Sequence, residues 1–172
     1  MATSTYTCSI FKGNSEKVVY KGDQSISGAI VYSGTIGDTL YLAKVPNGAT
    51  IVDFYEYHTS GQTAASISFG FDRGVAAGGG GNASCLISGS GSGAGSGTLG
   101  ATNRFNVANW PVGSNWPPTL SLTSTSPSPT YAILTAKSEA GTFTISVSIF
   151  FTLIYRMDGP QPRPPGMQEV VP

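Results

Sequence analysis

The sequence predicts an all-β fold, an antiparallel sandwich or barrel of about eight strands. Three observations predict it. Apolar and polar residues alternate over long stretches, and turn residues punctuate those stretches at short spacing. No window keeps apolar residues at i, i+3, i+4 and i+7 long enough to build an amphipathic helix. Period-two alternation puts one face of a strand in a core and the other toward solvent.

The elements follow in chain order. Residues 1–25 are weakly patterned and read as an N-terminal arm. Within it Tyr6, Cys8 and Ile10 alternate with Thr5, Thr7 and Ser9, a candidate edge strand. Residues 26–158 form the sandwich. Ser27 to Ser33 is its first strand. Thr39 to Val45 and Thr50 to Tyr57 are two apolar-rich runs joined by Pro46-Asn47-Gly48-Ala49. Asn-Gly tolerates positive φ, so this link predicts a hairpin. Ser66 to Asp72 alternates Ile67, Phe69 and Phe71 with Ser66, Ser68 and Gly70. The segment 74–101 holds eleven glycines and a Ser-Gly repeat, and predicts a long loop with room for a short strand at Cys85 to Ser88. Residues 106–118 carry Trp110, Trp116, Pro111, Pro117 and Pro118, a second irregular loop.

Thr119 to Ser124 and Tyr131 to Lys137 read as further strands, and Ala140-Gly141 as a turn. The clearest strand runs from Thr142 to Arg156. Phe143, Ile145, Val147, Ile149, Phe151, Leu153 and Tyr155 share one face, with Thr142, Thr144, Ser146, Ser148 and Thr152 on the other. Phe150 and Ile154 interrupt that polar face, which predicts a covering there by the protein itself or by a partner. Residues 159–172 contain Pro160, Pro162, Pro164, Pro165 and Pro172. Prolines this dense cannot enter a sheet interior and favour an extended polyproline II tail.

Composition narrows the function. The chain has 172 residues, enough for one domain with a real core. Charged residues make up 10% of it, against about 25% in ordinary soluble domains. Nine basic and nine acidic residues give zero net charge, with no block of either sign. A nucleic-acid partner would require a basic stripe, and a membrane surface a basic amphipathic helix; neither is present. The opening Met-Ala-Thr-Ser-Thr-Tyr does not read as a signal peptide. Cys8 and Cys85 are accordingly expected to be reduced thiols rather than a disulfide.

Motifs for chemistry do not assemble. Gly95-x-Gly97-x-x-Gly100 matches a dinucleotide pattern, but it lies in low-complexity sequence without the strand and helix that mechanism needs. His58, the one histidine, ends a strand and has no nucleophile motif near it. Asp53, Glu56 and Asp72 are the candidates for a carboxylate pair. Asp53 and Glu56 have opposite parity on one strand, and Asp72 caps a strand end, so no acid–base pair is expected. One histidine and two distant cysteines make no zinc site, and no cofactor is implied. Asn82-Ala83-Ser84 fits the glycosylation triplet only as a chance match. Trp110, Trp116, Tyr55 and Tyr57 could stack on sugars, though packing against the sheet is the simpler role.

The stretch from Gly37-Asp38 through Lys44-Val45-Pro46-Asn47-Gly48-Ala49 to Asp53 resembles a pattern in capsid decoration, or cement, proteins of tailed bacteriophages and related phage structural proteins. Ile67 to Gly74 is similar to the next strand of that family. Ala132 to Thr135 with Ala140 to Ile145 is similar to its closing hairpin. The resemblance implies a jelly-roll sandwich and extended N- and C-terminal arms. It also implies a non-enzymatic virion protein, made in the host cytoplasm, that binds the major capsid protein on the outer surface of the head as a homodimer or homotrimer. On that reading the contacts with capsid or neighbouring subunits fall to Tyr6, Ile10, Phe11, Phe150, Ile154, Pro160, Pro162, Pro164 and Pro165. The alternative is a tail or fibre module that binds host-surface glycans, with Trp110 and Trp116 as stacking platforms. A glycan-active enzyme on the same fold comes third.

Overall fold

The computed structural model describes residues 5–7, 22–58, 66–75, 79–88, 102–105, 107–110, 118–122, 131–141 and 147–157. They form nine strands: β1 (Thr5–Thr7), β2 (Gly22–Tyr32), β3 (Thr39–Pro46), β4 (Ala49–His58), β5 (Ser66–Arg73), β6 (Gly80–Ile87), β7 (Thr102–Arg104), β8 (Tyr131–Ala140) and β9 (Val147–Met157). A single 3-10 turn, Val107–Asn109, is the helical element among the described residues.

Two sheets result, in the orders β1-β3-β8-β5-β6 and β2-β9-β4-β7. Leaving β1 aside, β2 pairs with β9, β3 with β8, β4 with β7 and β5 with β6, all antiparallel. This is one long hairpin folded back over itself. Two further ladders, β4 with β9 and β5 with β8, complete the sheets. The result is the double-sheet jelly roll, the antiparallel sandwich the sequence predicts. β1 departs from the antiparallel rule: Thr5, Tyr6 and Thr7 lie parallel to Thr39, Leu40 and Tyr41 at the edge of β3.

The core lies between the sheets. On β9, Val147, Ile149, Phe151, Leu153, Tyr155 and Met157 are buried, while Phe150 and Arg156 are exposed. The alternation read for this strand is thus the one it adopts; Phe143 and Ile145 lie outside the described residues. Leu40, Leu42, Phe54, Phe69, Leu134 and Leu153 are fully enclosed. Phe54 of one sheet meets Phe69 of the other with ring centroids 5.2 Å apart, a contact that ties the layers together.

Four expectations are corrected. First, Asn47-Gly48 does not close a hairpin, because β3 and β4 belong to opposite sheets. Gly48 has the positive φ of 81° that the motif predicts. The turn, however, is stapled to residues 118–122: the Gly48 amide donates to the Leu120 carbonyl, and the Leu122 amide to Asn47 Oδ1. Second, the described part of the predicted 119–124 strand is an irregular strap. It makes one isolated bridge, Thr50 to Thr119, and buries Leu120 and Leu122. Third, β6 is a full strand inside the glycine-rich segment, and β7 falls just beyond it. Fourth, β2 begins at Gly22, so residues 22–25 belong to the sandwich rather than to an arm.

The corner between β2 and β3 shows why Gly37-Asp38 matters. Asp38 is buried, and its Oδ2 accepts the Thr35 amide at 2.9 Å and the Tyr32 hydroxyl at 3.2 Å. The Gly37 amide donates to the Ser138 carbonyl, and the Ser138 amide to the Asp38 carbonyl. A Cβ on Gly34 would stand 2.2 Å from that same carboxylate oxygen. The motif is a lock that turns the chain from one sheet to the other.

Candidate interaction surface

The outer face of the β2-β9-β4-β7 sheet is built by cross-strand rows. From one end these run Asp23 and Arg156; Ser25, Ile154 and Asp53; Ser27, Thr152, Tyr55 and Arg104; then Ala29, Phe150 and Tyr57. Strands β2 and β9 match residue for residue from Gly22–Met157 to Tyr32–Val147. Every odd-numbered residue of β2 from Asp23 to Val31 therefore points outward.

Polar partners on this face satisfy one another. Arg156 Nε and Nη2 donate to the two oxygens of Asp23 at 2.7 and 3.3 Å. That charge-assisted pair holds the Asp23 carboxyl below the usual carboxylate range. Arg104 donates to Asp53 Oδ2 at 3.2 Å, and the Ser27 and Thr152 hydroxyls share a bond of 2.8 Å. The face carries no net charge from these two ion pairs.

The apolar part is unusual for a solvated sheet. Among the described residues four large apolar side chains are exposed: Val31, Ile36, Val52 and Phe150. Three of them stand on this sheet. Phe150 is 44% exposed, Val31 65%, and the Phe150 ring packs on Tyr57 with centroids 5.8 Å apart. Val52 is pushed out at the bulge between Ile51 and Asp53 of β4. Ile154 is half-buried on the same face as Phe150.

The other singled-out residues fall in separate places. Asp53 is on this outer face, Glu56 is buried in the core, and Asp72 is the penultimate residue of β5 in the opposite sheet. His58 ends β4, and its side chain lies outside the described residues. Asp72 is held by structure: its Oδ1 accepts the Ile133 amide at 2.7 Å and its Oδ2 pairs with Arg73 at 2.8 Å. Among the described residues no group of three or more metal-ligating side chains converges. Tyr6 lies in β1 opposite Leu40. Ile10, Phe11, Trp116, Pro160, Pro162, Pro164 and Pro165 lie outside the described residues, as does Cys8.

Trp110 is buried, 5% exposed, and packs edge-on against Phe105 at 6.4 Å. It anchors its loop to the core and has no open ring face for a sugar. Cys85 is a free thiol in the core; burial pushes its pKa up to about 12.

Sequence reading missed the polar surface on the other sheet. Gly70, an isolated glycine within a strand pattern, was the available signal, since such glycines mark bulges and close backbone approach; Gly81 closes a run of four glycines and carried none. A Cβ on Gly70 would meet the Asn82 carbonyl at 2.1 Å, and one on Gly81 the Asp72 carbonyl at 2.0 Å.

No protein-family model matches the chain, and no curated protein matches it. Two solved structures have a similar fold. One is a chain of the cyanophage Pam1 capsid asymmetric unit, with 17% identity and a TM-score of 0.55 over 84% of this chain and 91% of that one. The other is a chain of the capsid of Ralstonia phage GP4, with 10% identity and a TM-score of 0.50 over 91% and 99%. At these identities the likeness defines the class of fold, a jelly-roll sandwich of the kind found in those two capsids.

Proposed function

We propose that this chain is a non-enzymatic virion structural protein of a tailed phage, which decorates the outside of the head by binding the major capsid protein. One observation carries the reading: the fold likeness to two phage capsid structures spans nearly the whole of this chain and of both matched chains. The Gly37 to Asp53 resemblance supports it independently. The surface offered for docking is the outer face of β2-β9-β4, where Phe150 and Val31 expose apolar area at one end, with the neutralised ion pairs and Val52 toward the other. Protein interfaces combine apolar area with polar contacts in this way. The arms, residues 1–21 and 159–172, extend the contact to neighbouring subunits, and β1 at the β3 edge illustrates strand addition of that kind.

The test is reconstitution. Purified protein is mixed with undecorated heads, sedimented, and imaged by cryo-electron microscopy. Density for hundreds of copies on the outer shell is the expected result. Density confined to the tail, in tens of copies or fewer, would overturn the capsid reading in favour of a tail module.

A further inference from the structure

The outer face of the β1-β3-β8-β5-β6 sheet holds a shallow trough of about 320 Å³, lined by Thr39, Tyr41, Asp72, Gly81, Ala83, Thr135 and Lys137 together with Phe71. We propose that this trough is a carbohydrate site, sized for one neutral hexose unit.

The trough exists because of a bulge. Across β3, β8 and β5 the register aligns Tyr41, Thr135 and Gly70 in one row, and Thr39, Lys137 and Ser68 in the next. Gly70 has no side chain, which lets the β6 backbone close over it. Phe69 pairs with Ile87 and Phe71 with Asn82, so β6 carries surplus residues between those points. The surplus arches over Gly70, where the Asn82 carbonyl and the backbone at residues 83 and 84 occupy the space a Cβ would need. Asn82 Oδ1 accepts both the amide and the hydroxyl of Ser84, at 2.9 and 3.1 Å, and holds the arch in shape. Ala83, the middle residue of the Asn82-Ala83-Ser84 triplet, thus lines the trough together with Gly81.

The lining selects the ligand by chemistry. The Asp72 carboxylate is fixed by the Ile133 amide and by Arg73. Each of its oxygens has a second lone pair able to accept a hydroxyl proton. Thr39 adds a hydroxyl, Lys137 a donor 3.6 Å from Glu139, and Tyr41 an aromatic ring beside them, while the buried Thr135 hydroxyl donates to the Gly70 carbonyl at 3.4 Å. Donors, acceptors and one ring suit a polyol with a C–H face. An anion would meet Asp72 as well as Lys137. A divalent cation would find one carboxylate, and no cluster of three ligands exists among the described residues. A purely apolar ligand would cover the lysine and the carboxylate and strip water from their remaining hydrogen-bonding positions. The volume lies at the low end of the roughly 300–1,000 Å³ of small-molecule pockets, which fits a single sugar ring. The inference does not rest on capsid binding, because the trough and the Phe150 face belong to different sheets.

The full chain, isotopically labelled, is titrated with free D-galactose, D-glucose and N-acetyl-D-glucosamine into the millimolar range, with inorganic phosphate as a control. Saturable amide shifts at Tyr41, Ala83, Thr135 and Lys137 with at least one sugar, and none with phosphate, are expected. Asp72→Asn keeps an acceptor for the Ile133 amide but removes the charge, and should weaken binding about tenfold, the value of one charge-assisted bond. Ala83→Leu fills the trough and should abolish the shifts with the melting temperature unchanged. Lys137→Gln serves as a second variant if Ala83→Leu does not fold. Absence of saturation with all three sugars overturns the proposal, as do shifts that persist in the folded trough variant.

Discussion

Single residues in this protein act through what their surroundings deny them. Cys85 sits in the core, where a thiolate has no solvation, and its pKa rises to about 12. Burial likewise raises Tyr155. Both groups hold their protons more tightly folded than unfolded, so folded stability is fully present below the unfolded thiol value near 9 and declines as pH climbs through it. Urea midpoints measured from neutral to alkaline pH should fall in that window, and Cys85→Ala should remove part of the fall. The same burial predicts that native Cys85 resists thiol reagents until denaturant is added. Gly70 is the opposite case, a residue defined by having no side chain. Gly70→Val must displace the β6 backbone at Asn82, and loss of the cooperative melt is expected.

At the scale of elements, β9 is the spine of its sheet, paired on both sides by β2 and β4. Its inward residues are sealed and its outward ones wet, so two substitutions on one strand should differ sharply. Val147→Asp places an unpaired carboxylate in the core and should abolish folding. Thr152→Lys, on the outer face, should melt close to the parent protein. Leu153→Ala, which empties a fully buried site, should cost about 2–5 kcal/mol. Denaturant melts of the three variants check this ordering, and a native-like Val147→Asp would mean the faces are inverted. The alternation on β9 was legible in the sequence because burial on one side only writes itself as period two. The role of Asn47-Gly48 was not. Positive φ at Gly48 belongs to a turn of either kind, and only the strap at 118–122 decides that this one crosses between sheets.

For the whole molecule, the two outer faces differ in character, and the proposals divide between them. If the Phe150 face docks on a capsid, Phe150→Asp should reduce sedimentation with undecorated heads by tenfold or more, since truncated anchors at an interface centre commonly cost about 2 kcal/mol. Its melting temperature should stay within the error of the parent, because Phe150 is largely outside the core. Deletion of residues 159–172 tests the arm. Weaker capsid binding with an unchanged melt is expected. Unchanged binding with a lower melt would make the tail an internal strap.

That the chain is a β-sandwich, where most of its long strands run, and which side of β9 faces inward are all legible in the order of its amino acids. These are consequences of local alternation and turn chemistry, which each segment carries alone. The same order separates Asp53 from Glu56 by strand parity. The tertiary structure alone decided which strands pair, that β6 arches over Gly70, and that Trp110 is core rather than surface. It alone assembled the Tyr41, Asp72 and Lys137 trough from β3, β5 and β8. Those features join residues far apart in the chain, and no local pattern records a partner that only the rolled hairpin brings alongside.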